Sequence, residues 1–264
     1  MAPRKEKEDF PYWLVAVTAL GAFFLYRILT DDLHAQILST LMRGVQVTLF
    51  VTFVSFALAS ALGLLLALGA GASWLVVRQV TRTYVEIVRG VPIIVLLLYV
   101  AFVLAPALVA AWNWATGWAG FEPLRTRDFS LLWRAIIALM IAYSAFIAEV
   151  FRAGLQSVDE GQIEAAKALG LSRWQRFRFI IFPQAIRTIL PPLGNDFIAM
   201  VKDSSLVSVL GVLDVTQLGK VTAASNFRYF ETYNVVALVY LTMTIGLSLA
   251  LRQLELRLRR SHEK

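Results

Sequence analysis

The sequence predicts an all-α, polytopic membrane helical bundle of about six spans. The 264 residues are 58% hydrophobic and 16% charged, with a mean hydropathy of +0.67, whereas soluble domains are about half apolar and a quarter charged. Two long stretches, 44–77 and 90–121, contain no Asp, Glu, Lys or Arg. Uncharged apolar runs of 18 or more residues are typical of helices that cross a bilayer.

Six apolar runs define the predicted spans in chain order. Roughly 20 helical residues cross a bilayer, so the second run, of about 27 residues, allows tilt or an extension beyond the membrane. The fifth run is the weakest because Pro191, Pro192 and Asp196 interrupt it. The predicted spans are 12–29, 45–71, 91–112, 130–151, 189–212 and 232–251.

Two features settle how the first span is interpreted and how the chain is oriented. Arg4 and Lys5 before an apolar run also fit a signal peptide, but the run continues beyond Gly21, which favours a retained helix. With the N-terminus in the cytoplasm, 17 of the 25 Lys and Arg residues fall on that side. This asymmetry predicts that both termini are cytoplasmic. The cytoplasmic segments are then 1–11, 72–90, 152–188 and 252–264, while Trp112, Trp114 and Trp118 lie near the outer interface.

Composition excludes several classes of function. The chain has no Cys and two His, His34 and His262, so we expect neither a disulfide framework nor a metal site. It contains no G-x-x-x-x-G-K-S/T phosphate loop and cannot supply a nucleotide site of that kind. The net charge of +7 is explained by cytoplasmic loops and a basic tail at anionic lipid, and it does not require nucleic acid as a partner.

The segment 152–188 is too polar to span a membrane and too regular to be a linker. It predicts two short helices. Asp159 can cap the first, and Gly170 can end it in a left-handed conformation. Ser172 can cap the second, which we expect to run to a break at Pro183. An interfacial helix lying on lipid is the alternative.

Four motifs, in order, resemble one known family. Glu164-Ala165-Ala166, Gly170 and Ile181-Phe182-Pro183 resemble the EAA loop of permease subunits in bacterial binding-protein-dependent ABC importers. The other three resemble the polar amino acid branch of that family and are Tyr84–Pro92, Ala148–Gly154 and Asn195-Asp196 through Lys202–Leu206. The likeness covers about 40–255 of the chain. Residues 1–30 depart from it by adding a helix before a five-span core.

The resemblance implies a function and a domain organisation. The chain would be the transmembrane subunit of an ATP-driven importer that moves polar amino acids across the bacterial inner membrane, and it would not itself be an enzyme. Residues 1–30 would form the N-terminal segment and extra helix, 31–255 the importer domain with its coupling loop, and 256–264 a basic cytoplasmic tail. The residues expected to contact the ATPase are Glu164, Ala165, Ala166, Leu169 and Gly170.

The expected partners follow from what the chain lacks and from the family. A dimer of ABC ATPase subunits would bind ATP and Mg, so this chain needs no cofactor. Six spans are few for a complete pathway, so a second permease, identical or homologous, would complete it across a two-fold axis. The resemblance also implies an amino acid binding protein outside the membrane. The sequence does not identify the amino acid, because selectivity in such systems would lie largely in that binding protein.

Two carboxylates at membrane depth are the candidates for substrate contacts, because charges there usually face a bundle interior or a wet cavity. Glu149 and Asp196 could meet the amino group or a cationic side chain of the substrate. They could also be structural, with Glu149 paired to Arg152 and Asp196 capping a broken helix. The predicted substrate-binding residues are Glu149, Asn195, Asp196, Ser204 and Ser205.

Further polar residues carry local expectations. Pro191 and Pro192 should break the helix beside Asp196, and such breaks often mark transport sites. Lys202 and Asp203 are adjacent and should therefore have separate partners. Glu86 and Arg89 are expected to form a surface ion pair before the third span.

Two other functions remain open from the residues alone. An ion-coupled secondary amino acid transporter could use Glu149 and Asp196, but it would need no cytoplasmic docking loop and usually has more spans arranged in repeats. A membrane-embedded hydrolase would be expected to have a histidine within a span or a cluster of metal ligands, and the sequence shows neither.

Overall fold

The computed structural model describes residues 12–260, and these residues form helices and turns without a β-strand. The predicted all-α class is confirmed. The α-helices are α1 Tyr12–Thr30, α2 Asp32–Ala70, α3 Leu75–Gly90, α4 Ile93–Tyr99, α5 Ala105–Thr116, α6 Leu131–Gln156, α7 Glu160–Ala168, α8 Arg173–Arg176, α9 Phe182–Asp203, α10 Val215–Asn226 and α11 Tyr229–Arg260.

Among the residues that the structure describes, four helical segments are long and apolar enough to cross a membrane: Asp32–Ala70, Ile93–Ala119, Leu131–Gln156 and Tyr229–Leu254. The second of them joins α4 and α5 through a π-helical turn, Val100–Leu104. α1 adds a shorter apolar stretch, and α9 is helical but carries polar residues and prolines. A membrane bundle of about six spans therefore agrees with the predicted one.

The largest difference in helix bounds concerns α2, which begins well before the predicted start at residue 45. Asp31 caps it by accepting a hydrogen bond from the Leu33 amide at 3.0 Å. The His34 ring lies 2.8 Å from the same carboxylate, and this hydrogen bond, with the one from Leu33, holds the pKa of Asp31 below its usual range. The cap explains the early start, since the helix begins directly after Asp31 and includes the more polar residues that precede the apolar run.

α6 lies at the centre of the bundle. Its side chains contact α2, α4 and the 3₁₀ segment Ser204–Leu210 in a core that includes Val51, Leu97, Ile136 and Val207, each at most 2% exposed. A neighbouring cluster joins α6 to α9 through residues such as Ile147 and Met200. α6 therefore connects the helices that carry the candidate site.

Two helices were missed in the sequence because they are short and mixed in polarity. α3 lies within the predicted cytoplasmic loop 72–90, and it packs on α6 through Val85 and Val88. α10 follows the fifth predicted span and begins at the N-cap Asp214, which accepts from the Gln217 amide at 2.8 Å. Asp214 was a recognisable capping signal that the apolar pattern did not detect.

Two predicted helix breaks are wrong. The helix does not stop at Pro183, because α8 passes through a π-helical turn, Phe177–Ile181, into α9, where the proline occupies the first turn. Pro191 and Pro192 lie inside α9, which continues to Asp203. Prolines are tolerated within membrane helices when neighbouring helices support the backbone, and α6 and α11 pack along this stretch.

Some predictions lie outside the described residues. These are the cytoplasmic N-terminal segment 1–11 and the end of the basic tail, 261–264. The described part of the tail is the last turns of α11, to Arg260.

Candidate functional site

The helix is not broken at the prolines; it changes from α to 3₁₀ geometry further along the chain, and we call this transition the membrane break. α9 ends at Asp203 and is followed by a 3₁₀ helix, Ser204–Leu210, that stops at Gly211 with φ +80°. Asp203 contacts Tyr143 of α6, which lies about 18 Å along α6 from its first residue at a rise of 1.5 Å per residue. The break therefore lies at the level of the middle of a 26-residue span.

Tyr143 and Asp203 join α6 to α9 at this break. The Tyr143 hydroxyl donates to Asp203 Oδ2 at 2.8 Å, and the tyrosine is 4% exposed. Lys202 is exposed and forms no ion pair with any side chain that the structure describes. Asp203 thus has a partner of its own, as expected, whereas the separate partner expected for Lys202 is not found among those side chains. Nothing local in the sequence marks Tyr143, because its partner is 60 residues away.

Asp196 lies two helical turns before Asp203 and on the same face of α9. Its Oδ2 atom is buried and has no hydrogen-bond partner in the described part of the chain. Asp196 is inside α9, so the alternative that it caps a broken helix is wrong. A buried carboxylate oxygen without a donor is costly, and a cationic group is the natural complement. The neighbouring Asn195 is exposed.

The serines after the break differ in availability. Ser204 is fully buried and donates to the Val201 carbonyl oxygen at 2.7 Å, so its hydroxyl proton is engaged. Ser205 is half-buried and has no such contact. Ser208 accepts a hydrogen bond from Lys220 Nζ at 2.9 Å, which ties the 3₁₀ segment to α10.

Glu149 is not part of this group. It forms an ion pair with Arg152 at 2.5 Å, which is the structural alternative that the sequence left open for it. Both residues line a cleft of about 700 Å³ at the C-terminal end of α6, and none of Asn195, Asp196, Ser204 and Ser205 lines it. The structure therefore divides the predicted substrate-binding residues into two places.

The predicted ion pair between Glu86 and Arg89 is wrong. No ion pair joins them in the part of the chain that the structure describes. The Arg89 guanidinium instead lies over the Phe146 ring of α6, 5.7 Å from its centroid. A guanidinium over an aromatic face is stabilised electrostatically, and this contact directs Arg89 toward α6.

The two-helix loop has the predicted local structure. Asp159 accepts from the Gln162 amide at 3.3 Å, and Ser172 forms a reciprocal capping box with Gln175. Gly170 has φ +77°. The Gly170 amide donates to the Lys167 carbonyl oxygen and the Leu171 amide to that of Ala166, which is the Schellman arrangement. We refer to Asp159–Ile181 as the coupling hairpin.

The outer surface of the hairpin is formed by most of the residues predicted to meet an ATPase. Glu164, Ala165 and Gly170 are exposed, and Leu169 is 79% exposed although it is apolar. Ala166 is 4% exposed and faces inward, so it supports the hairpin from within. Gln184 Nε2 of α9 donates to Gln162 Oε1 of α7 at 2.7 Å, which fixes the first helix of the hairpin to the helix that follows it.

The second helix of the hairpin leads directly to the membrane break. α8, the π-helical turn and α9 follow one another without an intervening non-helical residue. The Ser157 hydroxyl donates to Thr188 Oγ1 at 3.2 Å, joining the end of α6 to α9. A displacement of the hairpin would therefore be transmitted along α9 toward Asp203.

Residues 59–260 match the family described as binding-protein-dependent transport system inner membrane component. The chain belongs to this family. The resemblance that the motifs indicated is confirmed. The family's name implies a transport system with a binding protein, and the chain is one of its membrane-spanning components.

Several relatives support this assignment. The glutamine transport system permease protein of Escherichia coli (strain K12) is 36% identical over 83% of this chain and 93% of its own length. A probable amino-acid permease protein of Bacillus subtilis (strain 168) is 38% identical over 78% of this chain and 85% of its own. These proteins are transport permeases and not enzymes.

Solved structures with the same fold include an amino acid ABC transporter crystallised with histidines. It has a TM-score of 0.71 and 33% identity, covering 87% of this chain and 98% of that one. A methionine ABC transporter in an inward-facing conformation has a TM-score of 0.61 at 21% identity, covering 83% and 95%. The second likeness concerns the fold alone.

Proposed function

We propose that this chain is the permease subunit of an ATP-driven importer of polar amino acids in the bacterial inner membrane. The relatives named for glutamine and amino acid transport support this substrate class. The carboxylates of Asp196 and Asp203 near the membrane break support it as well, because every amino acid carries an ammonium group that a carboxylate can bind.

The observation that carries the proposal is the uninterrupted helical path from the coupling hairpin to Asp203. One end of this path presents exposed small and apolar side chains, including Ala165 and Leu169. The other end is the transition from α-helix to 3₁₀ helix at membrane depth. A separate ATPase that moved the hairpin would therefore change the membrane site through one mechanical element.

The partners of this permease follow from its chemistry. An ABC ATPase dimer would bind ATP and Mg and dock on Glu164, Ala165, Leu169 and Gly170, with Ala166 supporting the surface from inside. A second permease, identical or homologous, would complete the pathway, and a binding protein outside the membrane would deliver the amino acid. The segments predicted to lie on the same side of the membrane as the hairpin hold most of the Lys and Arg residues, and this asymmetry supports cytoplasmic termini.

The substrate pathway would pass the break after α9. Asp203 contributes a carboxylate at this transition, and Asp196 adds a carboxylate oxygen that has no donor among the described residues. Both attract the substrate ammonium group. Ser205 and Asn195 have hydrogen-bonding groups without a partner in the described part of the chain, and these suit its carboxylate and polar side chain, while Ser204 offers its oxygen as an acceptor.

Reconstitution tests the proposal against ion-coupled transport. The permease, its ATPase and its binding protein are placed in proteoliposomes, and uptake of radiolabelled glutamine is measured. We expect uptake to require ATP, to be blocked by vanadate and to persist when ionophores collapse the ion gradients. Uptake that continues without ATP and stops with the ionophores would establish the secondary transporter instead.

The docking surface has its own test at Leu169. Leu169→Glu places a charge in the expected apolar contact, so we expect the ATPase to be lost on purification and uptake to fall. Leu169→Met keeps the apolar contact and serves as the matched control. Equal retention of the ATPase by both variants would exclude this surface as the docking site.

A further inference from the structure

The cleft that contains Glu149 has the size of a small-molecule site. Its volume is about 700 Å³, within the usual range for ligand pockets. The last residues of α2 form one side, α3 a second and the end of α6 a third. Leu68, Val85 and Leu155 give it apolar lining.

Two walls of the cleft each carry one acidic and one basic side chain. α3 contributes Arg82 and Glu86, and α6 contributes Glu149 and Arg152. Arg152 is already engaged, because it donates to both Glu149 oxygens and to Gln156 Oε1, the last at 2.8 Å. The four charges sum to zero, which disfavours an anionic headgroup as occupant.

The α3 wall keeps both of its charges free. Arg82 and Glu86 are exposed, and neither forms a hydrogen bond or ion pair with a side chain that the structure describes. They are one helical turn apart, so they face the cleft together. A guanidinium and a carboxylate held at this spacing complement a ligand that carries one negative and one positive group.

We propose that this cleft binds a zwitterionic amino acid on the cytoplasmic side. Arg82 would donate two hydrogen bonds to the α-carboxylate, Glu86 and Glu149 would accept from the ammonium group, and the apolar lining would contact the side chain. The inference rests on the proposed function for the direction of transport and for the amino acid class. The cleft is distinct from the site near Asp196.

Occupation of the cleft has a consequence for transport. An amino acid held between Arg82 of α3 and Glu149 of α6 would tie the two helices together. α6 ends at Gln156, and the coupling hairpin begins three residues later at Asp159. The imported amino acid therefore inhibits further uptake from the cytoplasmic side by restraining the helix that leads into the hairpin.

The inhibition is measured with the complete complex in proteoliposomes whose lumen, on the ATPase side, is loaded with L-glutamine. We expect luminal glutamine to slow uptake of external radiolabelled glutamine. Glutaramic acid, which lacks the α-amine, and 4-aminobutanamide, which lacks the carboxylate, should not slow it. Arg82→Ala and Glu86→Ala should each raise the inhibitory concentration about tenfold or more, since each removes a charge-assisted contact. Arg252→Ala is the matched control, because Arg252 is exposed and lies outside the cleft.

Direct binding separates the two sites. In complexes carrying Asp196→Asn and lacking the binding protein, equilibrium dialysis with radiolabelled glutamine should still detect one site per permease, and adding Arg82→Ala should remove it. Unchanged binding and inhibition in both cleft variants would refute the inference, as would inhibition by both analogues. Absence of ATP-dependent uptake into empty vesicles would instead refute the proposed function, so the two failures are distinguishable.

Discussion

Replacing Gly170 by valine tests whether the coupling hairpin transmits force. Gly170 has φ +77°, and a Cβ built there meets nothing within 4 Å. The substitution therefore causes no steric clash with other residues, and its effect comes from the backbone alone. A β-branched residue in the left-handed conformation costs about 2 kcal/mol.

That cost acts on the angle between the two hairpin helices. A change of about 2 kcal/mol lowers the ratio of the native turn to alternative turns roughly 30-fold, since 1.4 kcal/mol is a factor of ten. The Schellman bonds of Gly170 and Leu171 would be lost in the alternatives. The membrane helices bury their own surfaces independently of this turn, so we expect normal insertion and normal amounts of protein.

The assay compares Gly170→Val with Gly170→Asn, because asparagine tolerates the left-handed conformation far better. In proteoliposomes with ATPase and binding protein, the valine variant should lose substrate-stimulated ATP hydrolysis and uptake, while the asparagine variant keeps most of both. The ATPase should leave the valine complex on purification or remain bound without productive coupling. If the valine variant transports at the wild-type rate with the ATPase bound, the hairpin is not the transmission element, and an amphipathic segment lying on lipid becomes the better interpretation.

Three further predictions concern the membrane region. Asp196→Asn should abolish most uptake while basal ATP hydrolysis by the assembled complex persists, and normal uptake would assign Asp196 a purely structural role. Gly154→Val should destabilise the purified complex by about 1–3 kcal/mol, seen as a lower melting temperature, because a Cβ there overlaps the α9 side chain packed against it; Gly246→Val, which meets nothing within 4 Å, is the control that should not. A single cysteine replacing Trp118 should react with impermeant thiol reagents, whereas one replacing His262 should react only with permeant reagents. Labelling of position 262 by an impermeant reagent from outside would reverse the topology.

Local sequence was sufficient wherever the physical cause is local. Uncharged runs of membrane length predicted the spans, because a helix that crosses the bilayer must be largely apolar whichever neighbouring helices it packs against. Asp159, Ser172 and Gly170 predicted the hairpin, because a cap and a left-handed stop depend on backbone groups within a few residues. The motifs around them predicted the family, and the family match confirmed it.

Tertiary structure decided where the membrane site lies. Pro191 and Pro192 are helix breakers by local rules, yet α9 continues through them, and the break occurs after Asp203. The difference arises because neighbouring helices support a membrane helix at its prolines, and sequence periodicity does not contain those neighbours.

The packing of distant helices also explains why the predicted substrate-binding residues lie in two separate places. Glu149 and Asp196 look alike in sequence, as carboxylates within apolar runs, but Glu149 faces a cleft with Arg82 and Arg152, whereas Asp196 shares a helix face with Asp203. Which side of a helix meets which partner depends on how helices far apart in the chain are packed. Composition, caps and motifs therefore determined a helical membrane protein of this family with a two-helix cytoplasmic hairpin as the expected docking element, and only the packing of α3, α6 and α9 determined which charges share a site.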